Sequence, residues 1–600
     1  MKIYSTMYQP HKPAGIDGRK AHIVGGGIAG LATAVFLIDD AKMPGQNITI
    51  YEKKPVMGGS MDGTKDAKGY IMRAERELEP FMECLWYLCS KIPSLENEGR
   101  TVLDDVVDFN RDEPIHTEAR VFVNQGEIYS KVHDYKLDAK NAAAMNKIIA
   151  STEEELEDLT LDDFFDENFF KSTFWTCFHS QLAFKHYHSV IECRRYWQRF
   201  TFSNRHEYLD GFIHTKYNEY DAMILPIERW LADSGVKYVY DCSIYDLDFD
   251  SKCNTVRGIR MVDKGVDKRV GVGVEDLVFV TTGSISENSC LGDNKTVAAT
   301  NRDTKDMGTF TTWQNLAKKD QKFGHPEKFI SNIDKTKWMS FFPTVKGYPE
   351  FFERIVKMSG AEPGNGGLMT FKDSNWDMSF EIHHKPFFPY QKDDEEVGWG
   401  YGLYGENVGN YIKKPMCECT GDEIMTELLY HLGMLDIKDE VLKHTYMCVC
   451  MMPYCTSQFM PRKVSDRPKI VPDGCTNLAL LGQFVEVDDD VVFTVETSVR
   501  TGMEGVYRLL NLDKDIIEVN PARFDERYAI ERFKKFKGIK GKITEADLPD
   551  ISPESLPLIK QVILDRLNSI PPYYTMYLGR DKTVPYKDAV LKPGAPYSKD

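Results

Sequence analysis

Long hydrophobic runs are missing from this chain. Over 600 residues no stretch approaches the ~18 consecutive apolar residues of a spanning helix, so no transmembrane helix is expected. The opening segment, MKIYSTMYQPHKPAG, has no apolar core of the kind a secretory signal needs. Basic residues are the minority: Lys+Arg number 75 against 92 Asp+Glu, a formal net charge of −17. Polyphosphate would be repelled on average, so no nucleic-acid partner is expected. Cysteine is sparse and odd in number, 13 in all, with no C-x-x-C spacing. That speaks against a disulfide framework and a zinc site, and for free thiols in a cytoplasmic setting. The G-x-S-x-G elbow, the G-x-x-x-x-G-K-[ST] loop and internal repeats are also absent. The rest is ordinary for a folded chain: hydrophobic residues 42%, charged 28%, aromatic 12%. At ~150 residues per domain the length corresponds to about four units.

The first positive signal comes early. Residues 20–24 (KAHIV) read as a short buried strand and 31–38 (LATAVFLI) as a helix. Between them lies Gly25-Gly26-Gly27-Ile28-Ala29-Gly30, and a second strand, 47–51, ends at Glu52, 22 residues after Gly30. Each part has a mechanical task in dinucleotide binding. Gly25 makes the tight turn, Gly27 lets a pyrophosphate approach the backbone, and Gly30 lets the helix pack on the strand. Ile28 and Ala29 sit at the helix start, where N–H groups are free and the dipole end is positive. Glu52 can accept the ribose hydroxyls. The bland alternative is a glycine turn in an unrelated α/β unit. A second glycine pair, Gly58-Gly59, followed by Ser60, comes directly after the acid. Flavin folds carry such a pair where the chain passes an extended FAD, so FAD is favoured over NAD. Late in the chain, residues 478–484 (LALLGQF) read as a strand running into Gly482, with an acidic stretch and a helix over 494–510 behind it.

The expected fold class is therefore α/β. A discontinuous Rossmann-like FAD-binding domain would comprise residues 1–70, 235–300 and 440–515, with strands at 236–240 and 277–284. A mainly helical insertion would cover 71–234, with helical patterns at 76–91, 138–150 and 183–200. A sheet-bearing substrate-binding domain would cover 301–439, and a helical C-terminal extension 516–600. The acidic run 151–166 reads as a solvated helix and turn. Within 526–542, Arg532, Lys534, Lys535 and Lys537 alternate with Phe533 and Phe536, a pattern suited to peripheral contact with anionic headgroups. A soluble basic helix explains that segment equally well, and a homodimer is a further expectation.

Chemistry-bearing residues cluster in a few places. Arg73-Ala74-Glu75-Arg76-Glu77-Leu78-Glu79 leads into an apolar helix over 81–88. Carboxylates there could serve only the helix dipole, or one of them could sit beside a flavin ring. Tyr196, on a helix, reads alone as packing. His383 and His384 are adjacent, so on a strand they oppose each other and do not form a metal pair.

These strings resemble one family, the FAD-dependent oleate hydratases, also called myosin-cross-reactive antigen proteins. The resemblance spans roughly residues 20–515. It is carried by residues 24–30 (VGGGIAG), 57–63 (MGGSMDG), 281–284 (TTGS), 373–376 (DSNW), 420–424 (TGDEI), 460–462 (MPR), 482–486 (GQFVE), 490–494 (DVVFT) and 498–501 (SVRT). It implies addition of water across a cis double bond of a free unsaturated long-chain fatty acid, giving a hydroxy fatty acid. Glu77 matches the family's water-activating glutamate and Tyr196 its proton-donating tyrosine. FAD contacts would come from Gly25, Gly27, Ile28, Ala29, Gly30, Glu52, Gly59, Ser60, Arg73, Arg76, Ile244, Thr282, Gly283, Gly482, Phe484, Glu486, Phe493 and Thr494. The chain departs from the family twice. Two loop glycines are Ala74 and Glu75 here. The Thr and Asn that hold the fatty carboxylate are Glu381 and His383, with His384 beside them. Glu381 would repel a carboxylate unless it faces away or an imidazolium at His383 or His384 offsets it. No metal is expected. The alternatives are a flavin-dependent double-bond isomerase or oxidoreductase, and a non-catalytic FAD- and lipid-binding protein.

Overall fold

Five short strands form a parallel sheet in the spatial order Leu478–Leu481, Leu277–Thr281, Ala21–Val24, Ile48–Tyr51, Lys237–Val239. The computed structural model describes residues 10–117, 119–200, 209, 211–492, 494–519, 530, 533–534, 539–547 and 556–569. Phe493 and, in the basic segment, Arg532, Lys535, Phe536 and Lys537 lie outside the described residues. Ala21–Val24 is buried along its whole length, as a strand covered on both faces must be. From it the chain moves outward to Ile48–Tyr51 and Lys237–Val239, then returns to the opposite side. The order reverses between Ala21–Val24 and Leu277–Thr281, and ligands favour the strand ends at such a switch point.

The glycine turn behaves as its spacing suggests. Gly25 has φ +101°, a conformation side chains disfavour, and a Cβ there would lie 2.7 Å from Thr281 Oγ1. Gly27 caps the helix Ile28–Asp39. A Cβ on Gly30 would overlap the Gly25 carbonyl oxygen, so this position fixes helix against strand. Gly30→Ala should therefore lower folding stability by roughly 1–3 kcal/mol, because backbone cannot move aside cheaply. A chemical denaturation midpoint equal to that of the parent would contradict this.

An eight-stranded mixed sheet forms the second layer. Its order is Cys290–Gly292, Thr445–Met452, Trp338–Lys346, Glu395–Gly402, Met378–Ile382, Met369–Phe371, Val121–Val123, Glu127–Ile128. Three of the expected boundaries need correction here. Thr445–Met452 and Cys290–Gly292 pair into this sheet rather than into the cofactor unit, and Val121–Val123 joins it from within the helical insertion. The period of two explains the layering of Thr445–Met452. Cys448, Cys450 and Met452 belong to a core cluster shared with the helices Thr173–Leu182 and Val190–Phe200. Met447, Val449 and Met451 belong to the cluster on the opposite face. Cys417 and Cys419 lie in and beside the short turn Met416–Glu418. All thirteen cysteines are free.

A three-stranded meander, Cys242–Phe249, Val256–Asp263 and Val266–Gly271, lies beside the parallel sheet, and Thr64–Lys65 pairs with Tyr70–Ile71 in a two-stranded one. Among the described residues no helix is long and apolar enough to cross a membrane.

Candidate active site

Two cavities meet at Arg76, Thr494 and Val495, which line both. The first, about 1000 Å³ including its open mouth, lies at the carboxyl ends of the parallel strands. Gly25, Gly27, Ile28, Ala29, Glu52, Gly59, Ser60, Ile244, Gly283 and Gly482 all line it. The helix Ile28–Asp39 aims its N-terminus there, and the helix Val495–Leu510 starts beside it, capped by Thr494. Glu52 is nearly buried. Its carboxylate accepts from Gly26 N–H at 2.7 Å and Lys54 N–H at 2.8 Å, which ties the second strand to the glycine turn. Two lone-pair directions remain for a ligand.

Other expected cofactor residues stand elsewhere. Arg73 donates to Asp62 and to the Gly59 carbonyl, so it braces the second glycine pair from behind. Thr282 points into the core and bonds the Leu481 carbonyl, whereas its neighbour Thr281 faces the cavity, as strand alternation requires. Phe484 packs against Phe310, Trp313 and Phe329. Glu486 is ion-paired with Arg195 at 2.6 Å and Arg462 at 2.9 Å.

The second cavity, about 740 Å³, lies between the eight-stranded sheet and the helical insertion. Glu77, Tyr196, Glu75 and Glu381 share its wall with Phe200, Phe212, Leu368, Trp338, Trp399 and Tyr401. The aromatic wall has a local cause in the string Gly398-Trp399-Gly400-Tyr401-Gly402. Trp399 and Tyr401 share the cavity face. On the opposite face a Cβ at Gly398 would lie 2.6 Å from the Phe380 ring, and one at Gly400 would overlap the Phe341 ring. These wall residues escaped notice in the sequence, although the glycine–aromatic alternation was the available signal.

The loop holding the acids is not the first turn of a helix. The helix runs over Glu83–Cys89, and Leu78 instead pairs with Ile213 across an antiparallel bridge. Glu79 is paired with Arg199. Glu77 accepts from Gln181 Nε2 at 3.4 Å, and burial, reinforced by Glu381, pushes its carboxyl up to about 7. Burial also raises Glu381, and burial with the Glu381 charge raises Glu75 well above the carboxylate range. Tyr196 is 1% exposed, with Phe184 at 5.0 Å and Phe459 at 5.5 Å edge-on to its ring.

Glu381 and His383 lie on the same face, and the Glu75 loop crosses it, bringing a Glu75 oxygen 3.4 Å from His383 Nε2. His384 turns to the other side, against Phe109 at 4.9 Å. Burial holds His383 well below its ordinary pKa and lowers His384 too, which works against an imidazolium that would offset Glu381.

Residues 18–507 match the family model described as the MCRA family. The chain belongs to the MCRA family. This is the family its motifs resemble. Two curated relatives cover nearly the whole chain. An oleate hydratase of Streptococcus pyogenes serotype M49 (strain NZ131) is 39% identical over 565 residues, 91% of this chain and 94% of that protein. A linoleate hydratase of Lactiplantibacillus plantarum is 30% identical over 557 residues, 84% of this chain and 96% of that protein. Among solved structures, a cyclohexylamine oxidase from Brevibacterium oxydans IH-35A overlaps at a TM-score of 0.47 and 12% identity, over 82% of this chain and 99% of that one. In this MCRA chain Glu75, Glu381 and His383 meet in one place.

Proposed function

We propose that this protein is an FAD-dependent hydratase that adds water to a cis double bond of an unsaturated long-chain fatty acid. The observation that carries the reading is the convergence of Glu77 and Tyr196 on one apolar-walled cavity that adjoins the glycine-lined one. The names of the two hydratase relatives point the same way. FAD fits the first cavity on structural grounds. The second glycine pair meets the turn at a Gly27–Gly58 bridge, leaving bare backbone where a pyrophosphate needs close approach. Gly27, Ile28 and Ala29 would hold the diphosphate, Glu52 the ribose, and Ser60, Arg76 and Thr494 the end facing the second cavity. Hydration leaves the net oxidation state unchanged, so the flavin when bound would supply shape and electrostatics beside the alkene.

The acyl chain lies along Phe200, Phe212, Leu368 and Trp399, which exclude water from the reacting carbons. The Tyr196 hydroxyl gives its proton to one alkene carbon, and a C–H bond forms. A water molecule attacks the other carbon and gives up its proton to Glu77, whose carboxylate also stabilises the positive charge that develops there. Return of a proton from Glu77 to Tyr196 through water closes the cycle.

Tyr196→Phe removes the proton while keeping the ring that packs on Phe184 and Phe459. Turnover should fall by roughly 10²–10⁴-fold with flavin content and melting temperature unchanged. Parent-like turnover would return Tyr196 to a packing role. For the activity itself, the FAD-loaded protein is incubated with a panel of free unsaturated fatty acids. A product heavier by one water from at least one acid is expected, and no such product from any acid would reject the reading.

A peripheral membrane contact through residues 526–542 accompanies this reading, since long-chain fatty acids partition into bilayers. Co-sedimentation with anionic vesicles, lost in neutral ones, is the expected result; equal recovery with both would remove it.

A further inference from the structure

We propose that Glu75, Glu381 and His383 form a binding site for a first-row divalent cation such as Zn²⁺, open on one side toward the substrate cavity. One carboxylate oxygen from each acid and one imidazole nitrogen lie within 4.8 Å of one another. The Glu75 oxygen and His383 Nε2 are 3.4 Å apart. Ligand atoms at Zn–O and Zn–N distances of ~2.0–2.2 Å and tetrahedral angles stand roughly 3.4 Å apart, so this pair already has the spacing of a coordination edge.

A second observation comes from hydrogen bonding. The His383 side chain is 5% exposed, and its Nε2 is buried with no hydrogen-bond partner. Glu75 Oε2, the atom it faces, also lacks a partner, and the Glu75 and Glu381 carboxyl groups lie within hydrogen-bonding reach of each other. Buried polar atoms without partners are uncommon, and two facing each other mark the place of something between them. The imidazole cannot swing away. Its ring is stacked on Phe387 at 3.9 Å and on Phe342 at 5.7 Å.

Charge argues the same way. Among the described residues neither Glu75 nor Glu381 has an ion pair with lysine or arginine; the Glu75 contact is to His383. The nearby guanidinium of Arg76 is occupied by the Glu75 and Ser60 carbonyls; that of Arg120 bonds Ser180, Thr370 and the Cys177 carbonyl through its terminal nitrogens, and its charge acts on Glu381 without forming an ion pair. A divalent cation would neutralise both carboxylates, and two oxygens with one imidazole suit first-row ions. The nearest acidic neighbour of His383, Glu75, comes from a loop far away in the chain, a juxtaposition that the adjacent His383-His384 pair does not reveal in sequence.

Three protein ligands leave a fourth position open. Glu75 and Glu381 line the cavity, so that position faces it. The carboxylate of the fatty acid would bind there, where two bare glutamates would repel it; this last step rests on the hydratase reading, whereas the cation site does not.

The test uses FAD-loaded protein stripped with a chelator. Titration with Zn²⁺ alone, followed by calorimetry, should show about one saturable equivalent. Affinity should fall by at least roughly 10–100-fold in Glu381→Gln and in His383→Phe. No saturable binding, or equal affinity in a His383→Phe variant that retains flavin, would overturn the site. Co²⁺ gives a readout on the parent protein that needs no variant. A tetrahedral visible band should appear on loading and shift with oleate but not with oleyl alcohol. Absence of the band would overturn the cation site. A band unmoved by oleate would overturn only the carboxylate step, and it would leave the hydratase reading to stand or fall on product analysis.

Discussion

Glu77→Gln should lower turnover by roughly 10²–10⁴-fold while flavin content and melting temperature stay at parent values. The swap keeps volume and one carbonyl oxygen, so the contact with Gln181 Nε2 can persist. It removes the capacity to take a proton from water and the negative charge that meets developing cationic charge. A structural role predicts a different pattern. Glu77 is half-buried, and among the described residues it has no ion pair with lysine or arginine, so neutralising it relieves desolvation rather than breaking a pair. Stability should hold or rise as activity falls. Glu79→Gln gives the contrast: that acid is paired with Arg199, which also pairs with Asp490, so its loss leaves a buried guanidinium partly unmatched and should cost stability. Parent-like turnover in Glu77→Gln would end its assignment as the base.

Gly27→Leu should yield folded but colourless protein. Gly27 has φ −75° and ψ 178°, a conformation any residue adopts. A Cβ there meets the Gly59 Cα at 3.7 Å, an ordinary contact, so the fold has room for it. The leucyl side chain would occupy the approach between the glycine pair and the helix N-terminus, the place assigned to the diphosphate. Flavin should fall from about one equivalent to roughly a tenth or less, and the stabilisation by added FAD, about 2.7 kcal/mol at 100 Kd, should vanish. Gly30→Ala should do the reverse, weakening the fold through the Gly25 carbonyl. Stoichiometric flavin in Gly27→Leu would remove this turn from the diphosphate.

Much of the parallel-sheet unit was legible because its signals are local. The turn, its flanking strand and helix, and Glu52 lie within one βαβ stretch, and Gly482 follows its own strand directly. Each can be read without knowing what lies across the fold. The misread positions depended on facing. Thr281 and Thr282 alternate, and only register against Leu478–Leu481 decides which meets the cavity. Phe484 reads equally well as a ligand contact or as core, and the neighbours Phe310, Trp313 and Phe329 decide it. Glu486 was assigned to the cofactor from the family resemblance, but Arg195 and Arg462, from two other segments, claim its charge. The candidate site was half legible. Glu77 and Tyr196 came from resemblance, whereas the meeting of Glu75 with Glu381 and His383 needs the loop to cross the sheet. No period or spacing in the sequence encodes that crossing.

Incorporation of heavy oxygen tests the central claim most directly. FAD-loaded protein is incubated with oleate and with linoleate in ¹⁸O-water, and the products are resolved by mass spectrometry. Hydration predicts a hydroxy fatty acid carrying one heavy oxygen in its new hydroxyl, with the flavin returned oxidised. An unlabelled isomer, a product formed with net reduction of the flavin, or unchanged acid would contradict it.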